Sequence, residues 1–379
     1  MARTFQKLTV AFFLIYATTF YVNAAFLKKV PQKITQPNGN TLECFATGDE
    51  FYNYLHDADG YTIIQNSETG FYVYADKIGD ELVPTNLVYG TDKPEAMNLQ
   101  KGNIISHEKY IEIRRPFDEQ HKALFLEKEN HRKKMGDQFQ ATKRTINNII
   151  IFIEFADSSF TKNDLTACEK DYNTSDLSMK SYYNEVSYGL CTITAHFFPN
   201  YNDGKIYAFK SNRNRNYVLP MSAQNQEGYN GDAVRNRREI EMIRAAVTSI
   251  GNAIPSNLNV DTDNDGCVDA ITIIFQGSPI FDYSARSGTA LWPHKWIDGT
   301  SGNNPVRING KAVYEYNILL EMGGSGMGVA IHEMGHVFGA PDLYTYETKV
   351  QPCGYWEQMS NDSEAPPHFS MYLKHKYFK

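Results

Sequence analysis

Beyond its first two dozen residues the sequence has no apolar run near the ~18 residues that a membrane-crossing helix needs. It has no excess of positive charge: 37 Lys and Arg stand against 44 Asp and Glu, a net charge of −7. Duplex nucleic acid binding needs a basic face, so no nucleic-acid partner is expected. There is no CxxC pair among the five cysteines, which argues against a thiolate zinc site. No internal repeat and no low-complexity tract is present, so solenoids and disordered arrays are excluded. What is present is a globular composition, 42% hydrophobic and 21% charged over 379 residues. At roughly 150 residues per domain that predicts two to three units.

Residues 1–24 read as a signal peptide. Arg3 and Lys7 form a positive start, Leu8 to Phe20 is mostly apolar, and Val22-Asn23-Ala24 places small residues at the cleavage positions. The expected location is therefore secreted and extracellular, with no stable membrane insertion after cleavage. Outside the cell thiols tend to pair. Cys168, Cys191, Cys267 and Cys353 are equally compatible with two disulfides or with four unpaired thiols.

Residues 25–144 form an N-terminal β-rich region. Thr41 to Phe45, Tyr61 to Gln65 and Gly70 to Ala75 read as strands, separated by turn clusters such as Asp57-Ala58-Asp59-Gly60. From Glu119 to Arg144 the chain is polar, charged and free of proline, an exposed helix or a linker. At Asn147 to Phe155 a continuous apolar run predicts a buried central strand. A helix near 178–185, a strand over 191–198, a helix over 238–250 and strands over 270–275 and 312–321 follow. Residues 145–379 are thus expected to be one catalytic unit.

The segment Val329-Ala330-Ile331-His332-Glu333-Met334-Gly335-His336 contains H-E-x-x-H. On a helix, positions i and i+4 share one face, so both imidazoles can reach one Zn2+. Glu333 then faces a water at the metal and is the expected catalytic base. Gly339 can end the helix through positive φ and Pro341 keeps it from resuming. The returning chain offers Asp342 as third zinc ligand, with Glu347 as fallback. Three protein ligands and one open position define a catalytic zinc site.

With Gly339-Ala340-Pro341-Asp342-Leu343-Tyr344, Tyr355 to Ser360, Ser181 to Gly189, Trp292-Pro293-His294 and the run Gly48 to Ile64, the sequence resembles the immune inhibitor A-like family of secreted zinc metallopeptidases, of metzincin type. The resemblance implies an α+β fold. A metzincin-like catalytic domain, with a twisted mixed β-sheet and central and active-site helices, would follow a small β-rich N-terminal domain. It implies a methionine turn at Met359, beneath the metal. It also implies a zinc-dependent endopeptidase, a monomer, hydrolysing peptide bonds of protein or peptide substrates. Tyr344 and Tyr355 are the candidates for oxyanion stabiliser. The competing readings are a non-enzymatic secreted binding protein of the same fold, and a zinc amidase or esterase.

Asp261-Thr262-Asp263-Asn264-Asp265-Gly266-Cys267-Val268-Asp269 resembles the first half of a Ca2+ loop. Position twelve is Thr272 rather than glutamate, so a full EF-hand is not expected; Asp261, Asp263, Asp265 and Asp269 are the candidate calcium ligands. Residues 25–144 are a candidate prodomain, which would make the protein a zymogen, or alternatively a permanent accessory domain; the boundary candidates are Arg132-Lys133-Lys134 and Lys143-Arg144. In the latent form Cys44 is a candidate zinc ligand. Substrate is expected to add as a strand near Ala312–Glu321. His294, beside two tryptophans, reads as structural. Asn173 and Asn361 head glycosylation sequons.

Overall fold

The computed structural model describes residues 27–134, 143–221, 225–277, 291–298, 305–321, 326–344, 352–361, 363 and 365–378. The expected signal peptide and Glu347 lie outside them.

Strands β1 (Leu27–Thr35), β2 (Thr41–Gly48), β3 (Asn53–His56), β4 (Thr62–Gln65), β5 (Tyr72–Ile78) and β6 (Glu81–Val88) form one antiparallel sheet. Its strands pair in chain order. Short turns rich in Gly, Asn and Asp allow that meander. Helix α1 (His107–Lys134) follows. It starts well before Glu119, inside the stretch expected to be β-rich, because Ser106 accepts from the Lys109 N–H at its start and Tyr110 and Ile105 are buried.

The second sheet holds β7 (Arg144–Glu154), β8 (Cys191–Phe198), β9 (Phe209–Lys210), β10 (Ala270–Phe275), β11 (His294–Ile297) and β14 (Glu315–Leu320), with the small pair β12 (Arg307–Ile308) and β13 (Lys311–Ala312) apart. The order is β11-β14-β10-β7-β8, with β9 pairing the end of β7. All neighbours are parallel except β11, which runs antiparallel along β14. The helices are α2 (Leu165–Glu169), α3 (Met179–Val186), α4 (Asp232–Ile250), α5 (Met327–Val337) and α6 (Met371–Tyr377).

The apolar run in β7 is explained by burial on both faces. Ile149, Ile151 and Ile153 point to a core shared with Ile240, Ile243 and Val247 of α4. Ile150 and Phe152 point to the opposite core, shared with Tyr183 of α3 and Val329, Ile331 and Met334 of α5. Period-two alternation thus sends one strand into two cores. Helix α4 begins at Asp232, six residues before the expected Arg238.

The expected strand 312–321 is broken into β13 and β14, and β14 is not an edge. Its inner side pairs with β10 and its outer side with β11. A substrate strand cannot add there, because both rows of backbone groups are already used; β11 is the edge strand.

Candidate metal centre

Helix α5 is apolar nearly all round, so it is buried rather than amphipathic. Two polar groups from elsewhere fix it. Tyr183 Oη donates to the Ile331 carbonyl at 2.6 Å, and Gln358 Nε2 donates to the Gly328 carbonyl at 2.7 Å. The helix ends as expected at Gly339, whose φ is +93°. The Gly339 and Ala340 N–H groups close the last turn on the His336 and Gly335 carbonyls, and the chain returns at Asp342.

This turn brings the three expected ligands together. The Nε2 atoms of His332 and His336 stand 3.0 and 3.1 Å from Asp342 Oδ1. Their Nδ1 atoms meet the carbonyls of Gln358 and Ala340 at 3.1 and 2.7 Å. A carbonyl only accepts, so each Nδ1 carries a proton, and in the neutral imidazoles each Nε2 presents a lone pair. Two lone pairs then face one carboxylate oxygen, an arrangement that a cation between them reconciles. Zinc with bonds of about 2.0–2.1 Å needs tetrahedral donors about 3.3 Å apart, so a small opening of this cluster fits the ion.

Glu333 is buried beside them. The backbone N–H of Lys295 in β11 donates to its carboxylate, and its Oε1 has no hydrogen-bond partner. Burial, against the charge of His332, pushes its carboxyl up to about 7. For Asp342, burial acts upward, yet the charge and hydrogen bonds of His336 and His332, with Arg114, hold it well below the usual range.

Met359 is fully buried, and its Sδ would lie 2.8 Å from a Cβ placed on Gly335. Only glycine lets helix and methionine approach so closely. The Met359 carbonyl accepts from the Leu343 N–H at 2.7 Å, which ties the ligand-bearing return to the methionine segment.

The two tyrosines part. Tyr344 is half-buried and its ring faces that of His332, centroids 6.2 Å apart. Tyr355 is 73% exposed, on a surface turn that no core residue holds inward. His294 is buried, with Nδ1 2.5 Å from the Trp292 carbonyl and Nε2 3.4 Å from Glu239, a structural position. Cys44 packs with Val30, Ile34 and Leu55 in the core of the first sheet, and burial pushes its thiol up to about 12. It is not in the histidine cluster, and all five cysteines are free thiols. The Asn173 amide donates to Glu169 and to the Ala195 carbonyl, bonds that a glycan on Nδ2 would disturb.

In the acidic loop, Asp261, Asp263 and Asp265 converge. Asp269 is not in that group. Its Oδ2 accepts from the N–H and hydroxyl of Thr262 at 2.8 and 2.7 Å. Lys311 Nζ lies 2.7 Å from Asp261 Oδ2.

Some site residues carry no short motif. Gln358 and Ala340 act through backbone carbonyls, which any residue type supplies. Arg114, from α1, places Nη2 3.1 Å from Asp342 Oδ2. No spacing links it to the motif, since 228 positions separate the two.

Two histidines and a carboxylate thus converge beside a buried glutamate. Residues 254–366 match the family model described as the immune inhibitor A peptidase M6 catalytic domain. The pre-pro-metalloprotease PrtV of Vibrio cholerae serotype O1 is 25% identical over 282 residues, covering 64% of this chain and 30% of that protein. Immune inhibitor A of Bacillus thuringiensis subsp. alesti is 32% identical over 112 residues, covering 27% of this chain and 16% of that protein. Over these stretches the chain is similar to the immune inhibitor A-like family. It spans less than a third of the length of either relative. Among solved structures, wild type OgpA from Akkermansia muciniphila matches 63% of this chain and 62% of its own at 11% identity and a TM-score of 0.31, a likeness too slight to carry weight.

Proposed function

We propose that the protein is a secreted zinc-dependent endopeptidase, made as a zymogen in which residues 25–144 cover a catalytic unit, 145–379. The carrying observation is the convergence of His332, His336 and Asp342 on one point beside the unpartnered Glu333 Oε1. Bound zinc would polarise the scissile carbonyl and acidify a water. Glu333 takes the proton of the attacking water and delivers it to the leaving amine. Its carboxyl near 7 suits both halves of that transfer. Lys295 orients Glu333, the Gln358 and Ala340 carbonyls hold the imidazoles in register, and Tyr344 is the tyrosine best placed to reach an oxyanion.

Latency is supported by burial. His332 and Glu333 are each 1% exposed, so a substrate needs the covering residues to leave. The calcium part of the reading rests on Asp261, Asp263 and Asp265, with Lys311 as the competing counter-charge.

The test is casein hydrolysis by protein freed of residues 25–144, with Glu333→Ala as the paired variant. Chelator-sensitive hydrolysis is expected. Glu333→Ala should keep its zinc and lose about 10²–10⁴ in rate. Near-normal activity in the variant removes the mechanism, and zinc uptake without hydrolysis by the parent favours a binding protein.

A further inference from the structure

Helix α1 belongs to the N-terminal region, yet it docks on the metal centre. From Tyr110 to Asp118, only Tyr110, Ile113, Arg114 and Phe117 are buried or half-buried. That spacing is one face of a helix. Tyr110, Ile113 and Phe117 enter one cluster with Trp296 of β11 and with Tyr344, two residues past Asp342. Phe117 stacks on Trp296, with ring centroids 4.7 Å apart and planes 27° from parallel.

The fourth residue of that face is a charge. Arg114 Nη2 lies 3.1 Å from Asp342 Oδ2, with the two side chains 19% and 6% exposed. The other oxygen, Oδ1, faces the Nε2 atoms of His332 and His336 at 3.0 and 3.1 Å. One carboxylate therefore has its inner oxygen at the histidine cluster and its outer oxygen on α1. Two further contacts fix the guanidinium. Arg114 Nε donates to Asp118 Oδ1 at 2.9 Å, and its central carbon lies 5.0 Å from the Phe51 ring centroid.

This pair differs from the surface pairs of the same helix. Lys109 and Glu112 are 43% and 61% exposed, and water weakens their attraction. An enclosed pair that loses one partner leaves an uncompensated buried charge, which costs far more. An apolar face by itself also docks with little directional preference, whereas a guanidinium on a carboxylate fixes register. The stripe thus supplies area and Arg114 supplies the position.

We infer that Arg114 is the latch of the latent chain: its ion pair with the outer oxygen of Asp342, set in the apolar stripe of α1, keeps residues 25–144 closed over the metal centre. This deepens the zymogen reading above and rests on it.

The experiment uses the intact chain and its Arg114→Gln variant, with Arg115→Gln as control, since Arg115 is exposed on the same helix. Amide hydrogen exchange over residues 110–117 reads the docking of α1, and casein hydrolysis reads latency. Arg114→Gln should exchange at least about tenfold faster there. It should also hydrolyse casein at least about tenfold faster than the intact parent, a gain that Glu333→Ala in the same chain abolishes. Arg115→Gln should match the parent in both. Arg114→Lys keeps the charge without the two-pronged geometry; it should fall between parent and Arg114→Gln, and it carries the test where the glutamine variant does not fold. Exchange in both Arg114 variants no faster than in Arg115→Gln overturns the latch. So does a loosened α1 with no gain in hydrolysis, where protein freed of residues 25–144 does hydrolyse casein. Freed protein without activity overturns the metallopeptidase reading instead, and the exchange result then still decides whether Arg114 holds α1 in place.

Discussion

The chain has two places where acidic or imidazole side chains converge, and they are finished in opposite ways. In the loop at 261–269 at least five of the eight aspartate carboxylate oxygens accept hydrogen bonds. Asp261 Oδ1 and Oδ2 accept from the N–H groups of Asp265 and Gly266, Asp265 Oδ1 accepts from Cys267, and Lys311 neutralises Asp261. At 332–342 the backbone instead takes the far side of each imidazole and leaves the near side pointing inward. Glu333 Oε1 is buried with no hydrogen-bond partner. The loop can hold its shape on internal bonds, whereas the helix site is incomplete until a cation arrives. Buried acceptors left without hydrogen bonds, more than the number of acids, set the helix site apart from the acidic loop.

The sharpest way to break this comparison is to remove one ligand from each. His336→Ala should abolish stoichiometric zinc and reduce hydrolysis by several orders of magnitude, whereas Asp265→Ala should leave both nearly unchanged, as metal analysis and casein assay would read. If Asp265→Ala emptied the catalytic zinc, the two clusters would not be independent.

A smaller effect tests the support beneath the helix. Gly335→Ala puts a methyl group against Met359 Sδ. Overpacking of this kind should lower stability by about 1–3 kcal/mol, visible in urea unfolding. An unchanged midpoint would mean that Met359 moves aside freely.

The smallest effect concerns the loop and acidity. Burial pushes Asp269 up to about 6 when folded, against about 3.9 unfolded. The native state then binds more protons between those values, so stability falls as pH rises from about 4 to about 6. The full penalty, about 1–2 kcal/mol after allowance for its partial exposure, persists above 6. Asp269→Asn should flatten that slope in melts without metal. Calcium ligated by Asp269 would turn the slope over, because it favours the charged form; an unaltered slope with calcium would leave Asp269 outside any such site.

Much of the fold of residues 145–379 was legible. The apolar run at 147–155, the strands at 191–198 and 270–275 and the helix near 178–185 carry local periodicity strong enough to locate them. The H-E-x-x-H spacing, the glycine stop and the returning Asp342 are likewise local, all within eleven residues. What could not be read depends on distant partners. The position of β14 inside the sheet follows from its pairing with β11, whose short sequence carries no strand signal of its own. The choice of Tyr344 over Tyr355 follows from which one is carried under α1. Cys44 had a suitable ligand chemistry but is enclosed in the wrong core. Asp269 fits the alternation of the acidic loop, yet Thr262 holds it elsewhere.

The sequence by itself determined the chemistry at the centre, because a helix of 3.6 residues per turn places His332 and His336 on one face whatever surrounds it. Only the tertiary structure decided that Arg114, more than two hundred residues upstream of Asp342, pairs with that same carboxylate. Long-range packing of aromatic rings brings it there, and that packing leaves no periodic trace along the chain.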